Sequence, residues 1–207
     1  MINEISLNFN SKLKKEFYCR NLLVVAKDLL GKILVKKNDK EILAGKIIEV
    51  EAYDGTTDQA AHSYGGITPR NKIMFEDGGY LYVYFTYGVH HCCNVVTGKK
   101  GKGTAVLIRA VEPVFGVKNI MLNRFNNTNL TQKEIYNLTS GPGKICQAFR
   151  LDRSYSGTDL TKNKIFLLNM PKVNRSKIGI SKRIGISKSV DLPWRFFIKD
   201  NPFLSRK

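Results

Sequence analysis

The chain has 207 residues, 43% of them apolar and 10% aromatic, enough to bury a core and too apolar for a disordered basic tail. Thirty-four Lys and Arg stand against 17 Asp and Glu, a formal charge of +17. That balance sets the chain apart from ordinary enzymes of small metabolites and predicts a polyanionic partner, nucleic acid or an anionic membrane surface. No apolar run reaches the ~18 to 20 residues that a bilayer span needs, and residues 1–15 are polar, so the sequence predicts a cytoplasmic protein with no membrane association, built as one domain over residues 1–207 behind a flexible segment 1–15.

The apolar spacing from Glu16 to Leu30, with Gly31 just beyond, predicts an amphipathic helix with a glycine stop. β-Branched and aromatic runs then predict strands at Lys32 to Lys36, Glu41 to Tyr53, Tyr80 to Phe85, Cys92 to Thr97, Thr104 to Val111, Lys164 to Asn169 and Arg195 to Lys199. Thr131-x-x-Glu134 is a capping box, and Ser140-Gly141-Pro142 opens a helix to about Leu151. Strands and helices do not alternate regularly, so the expected class is α+β, a single compact domain around a mainly antiparallel sheet flanked by helices. Ile178 to Lys182 recurs as Ile184 to Lys188, two copies of five residues and too few for a solenoid. Lys172 to Lys188 holds six basic residues and no acidic one, which reads either as a solvated face or as a phosphate-contacting surface.

Cys19, Cys92, Cys93 and Cys146 are expected as free thiols. His90-His91-Cys92-Cys93 contains four good zinc ligands, but neighbours in an extended chain point to opposite faces and cannot converge on one tetrahedral ion, so no metal is expected. In Lys46 to Tyr53, alternation puts Glu49, Glu51 and Tyr53 on one face of a strand. Two carboxylates in an apolar run fit either a wet edge strand or the rim of a cleft that activates water. A polar Gly- and Pro-rich loop follows, and then Tyr80, Tyr82, Tyr84 and Tyr87 fall within eight residues. Such a stripe fits cross-strand packing, or stacking of extruded bases on a basic protein.

The ordered motifs Glu-Val-Glu-Ala-Tyr (49–53), Ala-Ala-His-Ser (60–63), Thr-Pro-Arg-Asn (68–71), Leu-Tyr-Val-Tyr (81–84), Tyr87-Gly88, Asn94, Val-Leu-Ile-Arg-Ala-Val-Glu-Pro (106–113) and Ser-Gly-Pro-Gly-Lys (140–144) resemble the alkyladenine, or methylpurine, DNA glycosylase family from about residue 17 to 200. The resemblance implies a single domain around a curved sheet. It also implies a cofactor-free, monofunctional enzyme, without lyase activity, that flips a damaged purine from duplex DNA and hydrolyses its N-glycosidic bond. Glu51 would activate the water. Tyr53 and Tyr84 would sandwich the base, with His62 opposite and Ala60 and Asn94 in the pocket. Tyr87 would fill the gap left in the duplex, and Arg109 would lie near the flipped nucleotide's phosphate. Arg70, Lys144, Lys182 and Arg183 are the further candidates for DNA phosphates. His90 and His91 depart from the aromatic or apolar residues usual after the intercalating turn. Glu49 has no assigned role, and the expected state is a monomer, nucleoid-associated in a bacterium. The competing class is a non-catalytic basic RNA- or DNA-binding module; carboxylates inside an aromatic cleft argue against it, because each repels phosphate.

Overall fold

The computed structural model describes residues 4–206 apart from Tyr87 and Val89. In chain order the elements are α1 (Lys15–Tyr18), α2 (Leu22–Leu29), β1 (Ile33–Lys37), β2 (Ile42–Asp54), β3 (Leu81–Thr86), β4 (His90–Thr97), β5 (Thr104–Phe115), α3 (Val117–Phe125), α4 (Gln132–Tyr136), α5 (Pro142–Ala148), β6 (Ile165–Leu168), β7 (Ile178–Ser181) and β8 (Arg195–Ile198). All eight strands pair antiparallel in one sheet of order β3-β4-β5-β2-β1-β6, with β8 joined to β2 and β7 to β8. The class is α+β, as the lack of regular alternation predicts. No helix among the described residues is long and apolar enough to cross a membrane.

β2 positions everything else. Its first half pairs with β1 through Ile42 to Lys46, and its second half pairs with β8 through Glu49 to Glu51 on the same edge. Register shifts between Ile47 and Val50 on the β5 side mark the place where one neighbour gives way to the other, the bend that a bulge imposes on a strand. β5 continues to Phe115, past the Val111 that the sequence suggests, and Pro113 is tolerated because it sits at another register shift, opposite Gly45.

One face of the sheet carries the main core. Leu22, Val25, Ala26 and Leu29 of α2 and Ile145, Ala148 and Phe149 of α5 pack there against Val50, Ala52, Leu81, Val83, Val95 and Ile108. Alternation sends Tyr82, Val96 and Ala105 to the opposite face, where Met74 and the partly buried Tyr84 join them. The first expected helix is two. Asn21 breaks it by capping α2, accepting from the backbone N–H groups of Leu23 (3.0 Å) and Val24 (3.4 Å), the competition that favours Asn at an N-cap over a helix interior. The capping box of α4 forms as expected.

Residues 4–14 do not behave as the free segment expected. Ile5 N–H donates to Val114 O (3.0 Å), Leu13 N–H to Leu167 O (2.8 Å), and Leu13 is buried in the core. This stretch thereby covers the edge that β6 would leave unpaired. The repeated pentapeptide takes two different forms. Its first copy is β7, where Gly179 lies so close under the Phe197 ring that a Cβ would stand 2.3 Å from it. Its second copy is a loop whose Gly185 has φ +75°.

Candidate active site

The register explains how residues distant in sequence meet. Tyr82 faces Asn94, Asn94 faces Leu107, Leu107 faces Glu51, and Glu51 faces Arg195, one row across β3, β4, β5, β2 and β8. Above this row lies a cavity of about 530 Å³, lined among others by Tyr53, Ala60, His62, Tyr84, Asn94 and Arg109. Six of the residues expected from the sequence therefore share one pocket. Its volume is in the range of small-molecule sites. Tyr82, Met74 and the strap Ile184 to Lys188 also line it. Tyr82 is legible in the period-two tyrosine stripe, whereas nothing in the sequence brings the strap back to β2, with Ile184 133 residues from Glu51.

Glu49 and Glu51 are both fully buried, so the wet edge strand is excluded: β2 is flanked on both sides. Glu49 accepts from Arg109 Nε (3.2 Å), Arg195 Nε (2.8 Å) and the Ser205 N–H and hydroxyl (both 2.7 Å). Glu51 accepts from the Tyr53 hydroxyl (2.8 Å) and an Arg109 N–H (3.3 Å) on Oε2, and from Ile184 N–H (2.7 Å) on Oε1. The pair thus faces two guanidiniums, the kind of partner that burial of a carboxylate calls for. Their surroundings differ. All three partners of Glu51 line the cavity, while of Glu49's partners only Arg109 does. A carboxylate offers about four acceptor sites, and Glu51 has three filled by described residues, two of them on Oε2.

The aromatic walls are held in their neutral forms. Burial first, then the charge of Glu51 and the hydrogen bond to it, raise the Tyr53 phenol well above its ordinary value, so it remains a donor. Burial and then Cys92 do the same for Tyr84, and burial pushes the Cys92 thiol up to about 11. His62 stands at the rim with its ring 4.3 Å from that of Tyr84 and edge-on to it, and its Nδ1 lies 3.2 Å from the Tyr82 hydroxyl. Burial of part of the ring, and then the neighbouring Arg70, lower its pKa. Asn94 is buried and donates from Nδ2 to Tyr82 O (3.2 Å), which fixes its amide.

The basic candidates divide. Arg70 is exposed, donates to Phe85 O (3.1 Å) and lies over the Tyr84 ring. Arg109 faces the cavity, but its guanidinium is already engaged by both glutamates. Lys144 is half-buried and turned onto the Asn137 side chain and the Ser140 carbonyl and hydroxyl, a link within the turn before α5 rather than a free cation. Lys182 pairs with Asp191 at 2.6 Å. Arg183 corrects the phosphate assignment outright: its side chain is fully buried behind Tyr53 and bound to Asp58. Tyr87 lies outside the described residues.

The family model for methylpurine-DNA glycosylase (MPG) matches residues 16–202. A relative from Alkaliphilus oremlandii is 49% identical over 202 residues, covering 95% of this chain and all of that protein. One from Clostridium novyi is 46% identical over 95% of this chain and 99% of its own length. Both carry the name "Putative 3-methyladenine DNA glycosylase". The chain belongs to the methylpurine-DNA glycosylase family, whose members are hydrolases of N-glycosyl bonds.

Proposed function

We propose that the protein flips a damaged purine, such as 3-methyladenine, hypoxanthine or ethenoadenine, out of duplex DNA into the cavity between Tyr53, Tyr84 and His62. There Glu51 activates water to hydrolyse the N-glycosidic bond and leave an abasic site. The observation that carries this reading is the join between an aromatic-walled cavity and a buried carboxylate whose three partners all line that cavity.

The chemistry follows from that join. As the bond breaks, the sugar gains oxocarbenium character, which an ionised carboxylate stabilises, and the acceptor site left on Glu51 can take the proton of the attacking water. N-Alkylated purines are cationic and leave without an acid, so for them one base suffices where most glycosidases use two carboxylates; neutral hypoxanthine or ethenoadenine leaves as its anion and takes up from solvent a proton equivalent to the one that Glu51 removes from water. Stacking between aromatic faces favours an electron-poor cationic base, and a His62 kept uncharged adds no repulsion. Glu49 holds Arg109 and Arg195 in place and takes no part in proton transfer. Lys188, which lines the cavity, and Arg70, which lies over the Tyr84 ring, contact the phosphates, and Tyr87 holds the space that the lesion vacates. The enzyme acts as a monomer and needs no metal, since no step calls for one.

Incubation with a duplex bearing one hypoxanthine or ethenoadenine, followed by hot alkali, should cut the strand at the lesion. No cutting, or cutting before alkali, would overturn the monofunctional reading.

A further inference from the structure

Asp58 and Arg183 are buried charges that the reaction leaves without a task. Both side chains are wholly inaccessible. The Arg183 fork bonds both Asp58 oxygens, Ala52 O (2.9 Å) and Ser189 O (3.3 Å). Its guanidinium carbon lies 4.6 Å from the Tyr53 ring centre and 5.5 Å from that of Trp194. Asp58 in turn accepts from Ala60 N–H (3.0 Å), and its backbone carbonyl accepts from Ala61 N–H (2.9 Å). One ion pair therefore fastens three pieces of the pocket: the end of β2 behind Tyr53, the loop carrying Ala60 and His62, and the strap whose Ile184 N–H holds Glu51.

We infer that the Asp58–Arg183 pair both positions these three walls and balances charge behind Tyr53, so that the pocket admits cationic purines. The inference rests on the cavity being the pocket for a flipped purine. A base stacked on the free face of Tyr53 would sit about 8 to 9 Å from the guanidinium, the 4.6 Å behind the ring plus one van der Waals contact of about 4 Å. With Asp58 neutralised, an unbalanced positive charge at that distance, at an effective dielectric of about 20, disfavours a second positive charge roughly 25-fold. A neutral purine is spared that repulsion.

The test measures single-turnover release of 7-methylguanine, cationic in the nucleoside, and of neutral hypoxanthine from matched duplexes. Wild type, Asp58→Asn and Arg183→Lys are compared, each with thermal melting and Trp194 fluorescence. D58N should lower the 7-methylguanine to hypoxanthine ratio by about 10- to 30-fold. R183K keeps the charge but loses the planar fork, so it should slow both substrates, leave the ratio within about twofold, and shift the emission of Trp194, the single tryptophan. A folded D58N with an unchanged ratio overturns the charge-balancing role. Should D58N fail to fold, R183K decides: wild-type rates together with wild-type Trp194 emission overturn the inference. Release of neither base by wild type would instead overturn the glycosylase reading, and Trp194 emission in R183K still judges the pair.

Discussion

Replacing Glu49 with Gln removes a charge that four donors share while keeping its shape. In the wild type two carboxylates, Glu49 and Glu51, face two guanidiniums, Arg109 and Arg195. E49Q leaves one carboxylate against both, and it aims an amide NH₂ at donors that had an acceptor. Breaking a buried pair by removing one partner costs about 3 to 5 kcal/mol. At about 2 to 4 °C per kcal/mol for a chain of this size, the melting temperature should fall by about 6 to 20 °C. Release of hypoxanthine, measured under single-turnover conditions at a temperature where the variant is folded, should stay within about tenfold of wild type, or about 1.4 kcal/mol of barrier. Glu51→Gln should show the opposite pattern, a rate loss on the order of 10² to 10⁴ from the missing general base with lesion binding retained. A wild-type melting temperature for E49Q would refute the electrostatic account of the cluster. A folded E49Q as inactive as E51Q would refute the division of labour between the two carboxylates.

Asn94→Ser should raise release of guanine relative to hypoxanthine in single-turnover assays on mispaired duplexes, because the amide fixed by Tyr82 O presents a donor and bulk where guanine carries its exocyclic amine; an unchanged ratio would leave Asn94 a structural role only. Duplex affinity should fall steeply with salt, and Arg70→Ala and Lys188→Ala should each flatten the slope by about 0.9, whereas Lys182→Ala, already paired with Asp191, should leave it unchanged; a flattened slope in K182A would reverse that assignment. Folding depresses the pKa of His62, so its contribution to stability is present above the unfolded value of about 6.5 and is lost as pH falls through the lower folded value. Denaturation midpoints measured from pH 7.5 to 5 should therefore decline less in His62→Gln than in wild type, and parallel declines would show that another group carries the acid limb.

Alternation made much of the site legible. It puts Glu49, Glu51 and Tyr53 on one face, and Tyr82 and Tyr84 on one face, because strand side chains repeat every two residues. Seven of the eight strands lie within a few residues of their expected ends for the same reason, being dense in β-branched and aromatic residues, whereas β7, short and interrupted by Gly179, carries no such signal. Alternation does not give register. The row from Tyr82 through Asn94, Leu107 and Glu51 to Arg195 depends on four separate pairings, two of them across more than 50 residues of sequence, and no local propensity encodes which face-sharing residues become neighbours. The pentapeptide repeat makes the same point: one sequence is a strand under Phe197 in its first copy and a cavity-lining strap in its second, so tertiary partners decide its form.

Charge was the least legible quantity. A count treats all 34 cations alike and assigns them to a polyanion. The fold buries Lys32, Lys36, Arg109, Arg183 and Arg195, and those five answer to internal acceptors: Asn169 and a carbonyl for Lys32, the end of α5 for Lys36, and carboxylates for the three arginines. Arg183 shows why the sequence misleads. It sits beside Lys182 in a stretch with no acidic neighbour, and its partner Asp58 lies 125 residues away. Desolvating a guanidinium is tolerable only with such a partner, so every buried arginine here implies a carboxylate brought from elsewhere in the chain. For Arg109, Arg183 and Arg195 those carboxylates are Glu49, Glu51 and Asp58, all within β2 or the loop that follows it. The buried arginines around the site are therefore organised by β2 and its extension, whose three carboxylates hold all of them.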